Sequence, residues 1–446
     1  MLDLRDQSVL VLGLGSSGQS AARFCHERGA RVTAADERPA RDLPGALALE
    51  AVAELHLGAA FPDPADFDLV VASPGVPPER YRKRARRIWG DLEIAGRALA
   101  VPIVAVTGTN GKSTTTTLIE SMLRSAGLRA RAAGNLGTPA LELVGKALDV
   151  AVLEVSSFQL ETVESFRPRV AVVLNVAPDH LDRHGSLEAY AAAKARLLAS
   201  QRGEDVAVLN ADDPIVAGFA DATGGQVLHF SATRPVARGA WLDAGAVLLR
   251  RGDEPPMRLS LDGVSPAVLH NRENLLAAIC AVSAIGAEPG KAWRALARFE
   301  GLAHRTQVVA ERAGVTYVDD SKATNPAAAL RSVASFDAPL VWIAGGRDKG
   351  LDVEAMARAA APRLRAAVVL GEAAERLHQA LAGHAAVHHV GTIEEATAVA
   401  AGLAQPGDVV LLSPGCSSHD QFASFEERGL RFRAAALALP PTGGRP

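Results

Sequence analysis

One alternation runs along nearly the whole chain: a short apolar run, then a longer stretch with the composition of a helix. The runs at 9–12, 31–35, 69–72, 103–106, 150–155, 170–174, 206–209, 315–318, 340–344, 366–370 and 409–412 are each four to six residues long. Runs so short and so uniformly apolar fit strands buried on both faces, the condition of a parallel sheet. Stretches rich in Ala, Leu, Arg and Glu separate many of them. Strand–helix alternation predicts an α/β chain whose parallel sheets carry helices on both faces. Ligands of such sheets lie beyond the carboxyl ends of the strands, so the loops after the runs are the place to seek chemistry. Between 233 and 265 the pattern breaks into short apolar pieces around Gly239, Gly245, Gly252 and Gly263, which predicts a small antiparallel excursion. At about 150 residues per domain, 446 residues make two or three domains, with boundaries expected near 91–96 and 300–302.

Charge and composition exclude several classes. Lys+Arg number 47 against Asp+Glu 50, a net charge of -3 that argues against a nucleic-acid coat or a polybasic membrane protein. Aromatics at 4% leave few platforms for stacking single-stranded bases. Cys25, Cys280 and Cys416 are odd in number and far apart. That pattern disfavours a disulfide framework or a Cys-based zinc site and fits a reducing cytoplasm. The N-terminal apolar run is too short for a membrane span and lacks a basic signal-peptide front. The basic run Arg80, Arg82, Lys83, Arg84, Arg86, Arg87 reads as a solvated helix face, or else as a patch guiding anionic ligands.

Two glycine loops carry the first chemistry. Gly13-Leu14-Gly15-Ser16-Ser17-Gly18 fits G-x-G-x-x-G between the run at 9–12 and a helical stretch at 19–28. Asp36 follows the next strand, about where a ribose-binding acid would sit. Taken alone this loop suggests NAD, although Rossmann-like sheets bind other nucleotides too. Ser73-Pro74-Gly75-Val76-Pro77 follows the run at 69–72 and would complete the same pocket. The second loop, Thr107-Gly108-Thr109-Asn110-Gly111-Lys112-Ser113-Thr114, lies between the run at 103–106 and a helical stretch at 115–126. It is a shortened phosphate loop, since the usual pattern needs Gly where Val106 stands. Its N–H groups would cradle the phosphates of ATP, with Lys112 on the β/γ phosphates and the Ser113 hydroxyl toward Mg²⁺.

Acidic and basic groups sit beyond further strand ends. Glu154 ends one run, in position to be an oxygen ligand for Mg²⁺. Asn135 lies in Gly134-Asn135-Leu136-Gly137, another post-strand loop. Asp179-His180 follow the run at 170–174, and His180 is either a metal ligand or a structural hydrogen-bonder. Lys194 shares a helix face with Tyr190, in a helix expected to begin near Ser186. By position alone it is an ordinary surface lysine. Cys416 reads as packing rather than as a nucleophile.

The ordered set of motifs resembles the Mur ligases of peptidoglycan synthesis, over nearly the whole chain. It comprises the second glycine loop, Leu153-Glu154-Val155-Ser156-Ser157-Phe158-Gln159, Asn175-Val176-Ala177-Pro178-Asp179-His180, and His270-Asn271 with Asn274. Gly301-Leu302-Ala303-His304-Arg305, Asp320-Ser321-Lys322-Ala323-Thr324-Asn325 and Leu412-Ser413-Pro414-Gly415-Cys416-Ser417-Ser418 complete it. The resemblance implies three domains: 1–94, Rossmann-like and UDP-binding; 95–301, a central P-loop ATPase-like parallel sheet; and 302–446, a Rossmann-like α/β domain for the amino acid. The match is best to members that use ATP to activate UDP-N-acetylmuramoyl-L-alanine as an acyl phosphate and then add D-glutamate. Such an enzyme is cytoplasmic, and a monomer is expected.

Site residues follow from the same resemblance. Ser16, Ser17, Asp36, Glu37, Arg38, Ser73 and Asn135 would bind the UDP substrate, so the first loop serves UDP rather than NAD. Gly108, Thr109, Asn110, Gly111, Lys112, Ser113 and Thr114 would hold ATP, with Asn271, Asn274, His304, Arg305 and Asp320. Lys112, Glu154, His180 and Lys194 form the implied catalytic group, and Ser113, Glu154, His180 and Lys194 the ligands of two Mg²⁺ ions. Lys194 matches the family's carbamylated lysine, whose neutral amine takes up CO₂ and becomes an anionic ligand. Lys322, Thr324, Lys349, Ser418 and Phe425 resemble the glutamate-binding set. A sibling ligase for a diamino acid would carry an Asp-Asn-Pro-Arg-like stretch where Ala323-Thr324-Asn325-Pro326 stands. A folylpolyglutamate synthase leaves the N-terminal fold unexplained. An NAD oxidoreductase leaves the second loop unexplained. A non-catalytic nucleotide sensor is the third class, and ligation persisting in Lys112→Ala would overturn the ATP assignment.

Overall fold

A computed structural model describes residues 2–269, 271–348 and 350–440. His270 and Lys349, both quoted above, lie outside the described residues. The described strands form three sheets, and the chain divides into two compact units. The first unit holds two of the sheets and includes Glu188–Ser265 and Asn271–Phe299. The second holds the third sheet together with Ala177–Leu187 and the short segment starting at Pro266.

The first sheet comprises β1 (Ser8–Leu12), β2 (Arg31–Asp36), β3 (Glu54–Leu57), β4 (Leu69–Ala72) and β5 (Ile88–Trp89). Its order is β3-β2-β1-β4-β5 and every pairing is parallel. Chain direction along the sheet reverses at β1, so the crevice above β1 and β4 is where a doubly wound sheet binds its ligand. The second sheet comprises β6 (Ile103–Thr107), β7 (Ala130–Gly134), β8 (Val150–Glu154), β9 (Val170–Val173), β10 (Arg202–Asn210), β11 (Gly224–Ser231), β12 (Gly239–Asp243), β13 (Ala246–Arg250) and β14 (Met257–Ser260). From β7 to β12 it is parallel, in the order β12-β11-β10-β9-β6-β8-β7. β12, β13 and β14 then run antiparallel, the excursion expected between 233 and 265.

The third sheet comprises β15 (Gln307–Arg312), β16 (Val315–Asp319), β17 (Leu340–Gly345), β18 (Leu364–Leu370), β19 (Ala386–His389) and β20 (Val409–Leu412). Its order is β15-β16-β20-β17-β18-β19, antiparallel only at β15–β16. Its core has two sides: Trp342, Met356 and Leu377 on one face, Ile343, Val410 and Phe432 on the other. All three cysteines are buried, and burial pushes each thiol up to about 12. No described helix is long and apolar enough to cross a membrane.

Two readings of the sequence need correction. The basic run is not a helix face: Pro78–Arg80 is a short 3-10 turn and the chain then turns into β5. Its charges tie loops together. Arg80 meets Glu37 at 3.3 Å, Arg82 donates to the Glu161 carbonyl at 3.3 Å, Arg84 pairs with Asp63, and Arg87 covers the Trp89 ring at 4.6 Å. The helices after the glycine loops also start earlier than expected, at Ser16 and Lys112. Each loop feeds straight into the first helical turn, where N–H groups lack partners inside the helix and can serve an anion.

Candidate active site

The second glycine loop leaves β6 at Thr107, whose hydroxyl donates to the Val155 carbonyl at 2.9 Å. Asn175, just past β9, clamps the loop. Its side-chain oxygen accepts from the Asn110 N–H at 2.8 Å, its amide donates back to the Asn110 carbonyl at 3.2 Å, and its own carbonyl accepts from the Thr109 N–H at 2.9 Å. Asn210 in turn donates to the Leu174 carbonyl at 2.9 Å. Gly111 has φ 84°, and a Cβ there would come within 2.3 Å of the Asn274 side-chain oxygen. Glycine is thus required both for the turn and for the approach of Asn274. Asn271 lies one turn back and caps the helix Arg272–Ala284 by accepting from the Asn274 N–H at 3.2 Å. Ser113 is buried in the first turn of the loop's own helix.

Two lysines converge on this loop. The Lys112 ammonium donates to the carbonyls of Gly108 and Thr109, both at 2.8 Å. The Lys194 ammonium donates to the Gly108 carbonyl at 3.0 Å and lies 4.3 Å from the centre of the Tyr190 ring. Lys194 is 1% exposed, so the surface role suggested by its position alone is corrected. Its helix, Leu187–Ala195, turns that face inward against the loop.

Glu154 ends β8 and is buried. One carboxylate oxygen accepts from the Asn135 side chain at 2.8 Å, while the other is buried with no hydrogen-bond partner among the described residues. A carboxyl oxygen left this way is costly to bury. A divalent cation is the sort of group that relieves it. Asn135 thus supports Glu154 and is absent from the lining of the first pocket.

That pocket, about 450 Å³, is lined by Gly13, Ser16, Ser17, Asp36, Glu37, Arg38, Ser73 and the turn 74–77. It lies at the carboxyl ends of β1, β2 and β4, as the sheet order requires. Asp36 spends its carboxylate on the pocket itself. It accepts from the Leu14 N–H at 2.8 Å and from the Arg38 N–H and guanidinium at 2.9–3.0 Å. Burial would raise its pKa, but Arg38 and the two N–H groups outweigh that and hold it below the ordinary value. Asp36 therefore braces Leu14 and aims Arg38. A dinucleotide-binding acid would instead keep its oxygens for a ribose.

In the second unit Lys322 reaches the first residue of the helix Phe425–Ala438. The Lys322 ammonium lies 3.7 Å from the centre of the Phe425 ring. Arg428 is 2% exposed and donates to the Ser321 hydroxyl and carbonyl and to the Cys416 carbonyl. It ties together the loops that carry Lys322, Thr324 and Ser418. Burial pushes it down to about 10, which leaves it charged at neutral pH. Arg347 pairs through its main chain with Ser417, at 2.8 and 3.0 Å. His304 is buried, bonded to Asp319 at 2.6 Å and edge-on to Phe425 at 6.2 Å. Asp320 accepts from the hydroxyls of Ser332 and Ser413 and from the Thr306 N–H, and burial raises it to about 6. Arg305, next to His304 in sequence, is half-buried. His180 has a left-handed backbone (φ 52°), and its neighbour Asp179 accepts from the Asn325 side chain at 3.1 Å. Arg428, Asn175 and Asp319 were missed as site residues. Asn175 opens a motif quoted above and Asp319 borders another, while Arg428 follows Phe425 by three residues, one helical turn.

Three family descriptions match the chain in order: a Mur ligase MurD-like N-terminal domain at 7–85, a Mur ligase middle domain at 106–282, and a Mur ligase glutamate ligase domain at 304–416. A UDP-N-acetylmuramoylalanine–D-glutamate ligase of Geobacter metallireducens is 42% identical over 100% of both chains. One of the same name from Anaeromyxobacter dehalogenans is 45% identical over 97% of this chain and 98% of its own. Among solved structures, a UDP-N-acetylmuramate-alanine ligase of Thermotoga maritima shares the fold, with TM-score 0.60, 18% identity and coverage of 97% and 99%. A pseudomurein peptide ligase type C of Methanothermus fervidus does so with TM-score 0.62, 18% identity and coverage of 98% and 100%. Three sheets in this order, a shortened phosphate loop with two lysines on it, and full-length similarity at this level have one common explanation: the chain belongs to the Mur ligase family of ATP-dependent amide-bond-forming enzymes.

Proposed function

We propose that this enzyme adds D-glutamate to UDP-N-acetylmuramoyl-L-alanine, at the expense of ATP, in cytoplasmic peptidoglycan precursor synthesis. The observation that carries the reading is 42% identity over the full length of a relative bearing that name. The chemistry is consistent. A carboxylate is a poor electrophile, so its oxygen attacks the γ-phosphorus of ATP, the bond to ADP breaks, and an acyl phosphate forms. The glutamate amine then attacks the acyl carbon and loses a proton as phosphate leaves. Lys112 and the N–H groups of the second loop hold and orient the phosphates, and the first pocket holds the UDP end through Ser16, Ser17, Glu37, Arg38 and Ser73.

Glu154 fits a Mg²⁺ ligand because of its unpartnered buried oxygen. In this reading Ser113, His180 and a carbamate on Lys194 supply the other protein ligands of two ions. Bound Mg²⁺ offsets the negative charge of the transferring phosphoryl group. A carbamate on Lys194 would add an anionic oxygen ligand to that of Glu154. Lys322, Thr324, Lys349, Ser418 and Phe425 take the amino acid, and Asn271, Asn274, His304, Arg305 and Asp320 take the rest of ATP. The domains run 1–94, 95–301 and 302–446, and the enzyme works as a monomer. The test is phosphate release from ATP with UDP-N-acetylmuramoyl-L-alanine and D- or L-glutamate side by side. Release with D-glutamate alone is expected, and turnover with L-glutamate but not D-glutamate would overturn the assignment.

A further inference from the structure

Helix Asp91–Ala98 follows the first sheet and precedes the second, and both its acidic residues near the start are buried. Glu93 is 0% exposed. It accepts from the N–H groups of Glu164, Ser165 and Phe166, from the Ser165 hydroxyl at 2.7 Å, and from Arg97 at 2.7 Å. Glycines let the surfaces meet: a Cβ at Gly90 would come within 2.3 Å of the Thr162 hydroxyl, and one at Gly96 within 2.5 Å of Phe166. Glu93 thus explains why the helix is fastened to the segment after β8.

Asp91 does something different. It is 2% exposed and its described partners are neutral. They come from two places. The Ser17 hydroxyl belongs to the first glycine loop and lines the first pocket. The Gln159 amide lies 3.2 and 3.4 Å from the two carboxylate oxygens. Gln159 is half of a capping box whose other half is Ser156, two residues after Glu154: its side-chain oxygen accepts from the Ser156 N–H at 3.1 Å, and the Ser156 hydroxyl accepts from the Gln159 N–H at 3.2 Å. One carboxylate therefore joins the loop that lines the first pocket to the turn that follows the Glu154 strand.

We propose that Asp91 is a positioning residue that sets the UDP-sugar pocket at a fixed reach from the phosphoryl-transfer site, through Ser17 on one side and Gln159 on the other. The proposal rests on the UDP reading of the first pocket. A substrate held at its UDP end delivers its distant carboxylate correctly only if the two walls stay in register. Misplacement by about 1 Å costs on the order of a hundredfold in rate. UDP alone fills the wall that carries Ser17 and does not reach the Gln159 side of the link.

The test uses the full-length enzyme with Asp91→Asn and Gln159→Met, which break the same link from opposite sides. Two readouts are taken: kcat for ligation, and UDP binding by calorimetry. Each variant should lower kcat by roughly tenfold or more, and Gln159→Met, which leaves Ser17 its carboxylate partner, should keep UDP affinity and the KM for ATP within twofold of wild type. The double variant should be no slower than the slower single one. Unchanged kcat in Gln159→Met, or additive losses in the double variant, would overturn the proposal even if Asp91→Asn fails to fold. So would a loss of UDP affinity as large as the loss of kcat. Failure of UDP to bind the wild-type enzyme would remove the UDP reading itself, an outcome distinct from these.

Discussion

Both glycine loops leave a central parallel strand and enter a helix without a break, yet they use their polar atoms differently. The first is braced by its own helix and by the ends of the two strands that flank β1. Asp36 takes the Leu14 N–H, Gln19 donates to the Leu14 and Pro44 carbonyls at 2.9 Å, and the Ser73 hydroxyl donates to the Gly13 carbonyl at 2.6 Å. A Cβ on Gly18 would fall 1.8 Å from the Gly13 carbonyl oxygen, so that glycine serves helix packing. The second loop is clamped by residues from other strands and helices, Asn175 and Asn274, and two ammonium groups reach its carbonyls. The comparison teaches that a glycine pattern fixes a backbone shape, whereas the side chains brought to it decide the ligand.

The largest test of that contrast is Lys112→Ala. Ligation should fall by about 10³-fold, since the phosphates lose their cation, while UDP binding at the first loop stays unchanged. A fall of less than tenfold would make the two loops equivalent. Lys194→Ala should lower turnover by about 10²-fold, and a short carboxylic acid should restore part of it by supplying oxygens. Full activity without additive would dismiss the carbamate. The smallest effect belongs to the first loop. The folded-state pKa of Asp36 lies below its ordinary value of 3.8, so its contribution is present above that pH and is lost as pH falls through the folded pKa. Asp36→Asn should cost about 1–3 kcal/mol at pH 7, with the gap to wild type closing below pH 3.8 in urea titrations. A gap that did not change with pH would mean the charge is irrelevant to that loop.

The central strands were legible because they are buried on both faces: the runs at 69–72 and 409–412 coincide with β4 and β20. The edge strands β3, β7, β15 and β19 were missed, and so was β11 inside the second sheet. They mix polar with apolar residues, so periodicity sees no run. The phosphate loop was legible in sequence because its spacing is local. Lys194 was not, since its burial depends on a contact with Gly108, 86 positions away. Asp91 and Arg428 belong to the same kind: their partners converge from distant segments, and only the fold assembles them.

The three deeply placed cysteines have a practical consequence. With their sulfurs shielded and pushed to about 12, the thiolate that reacts with maleimides is scarce in the folded chain. A cysteine introduced on an exposed loop would therefore label almost alone, giving a single attachment point for a fluorophore with no need to strip the native ones. The same three sulfurs, silent until the core opens, make the chain its own reporter of unfolding.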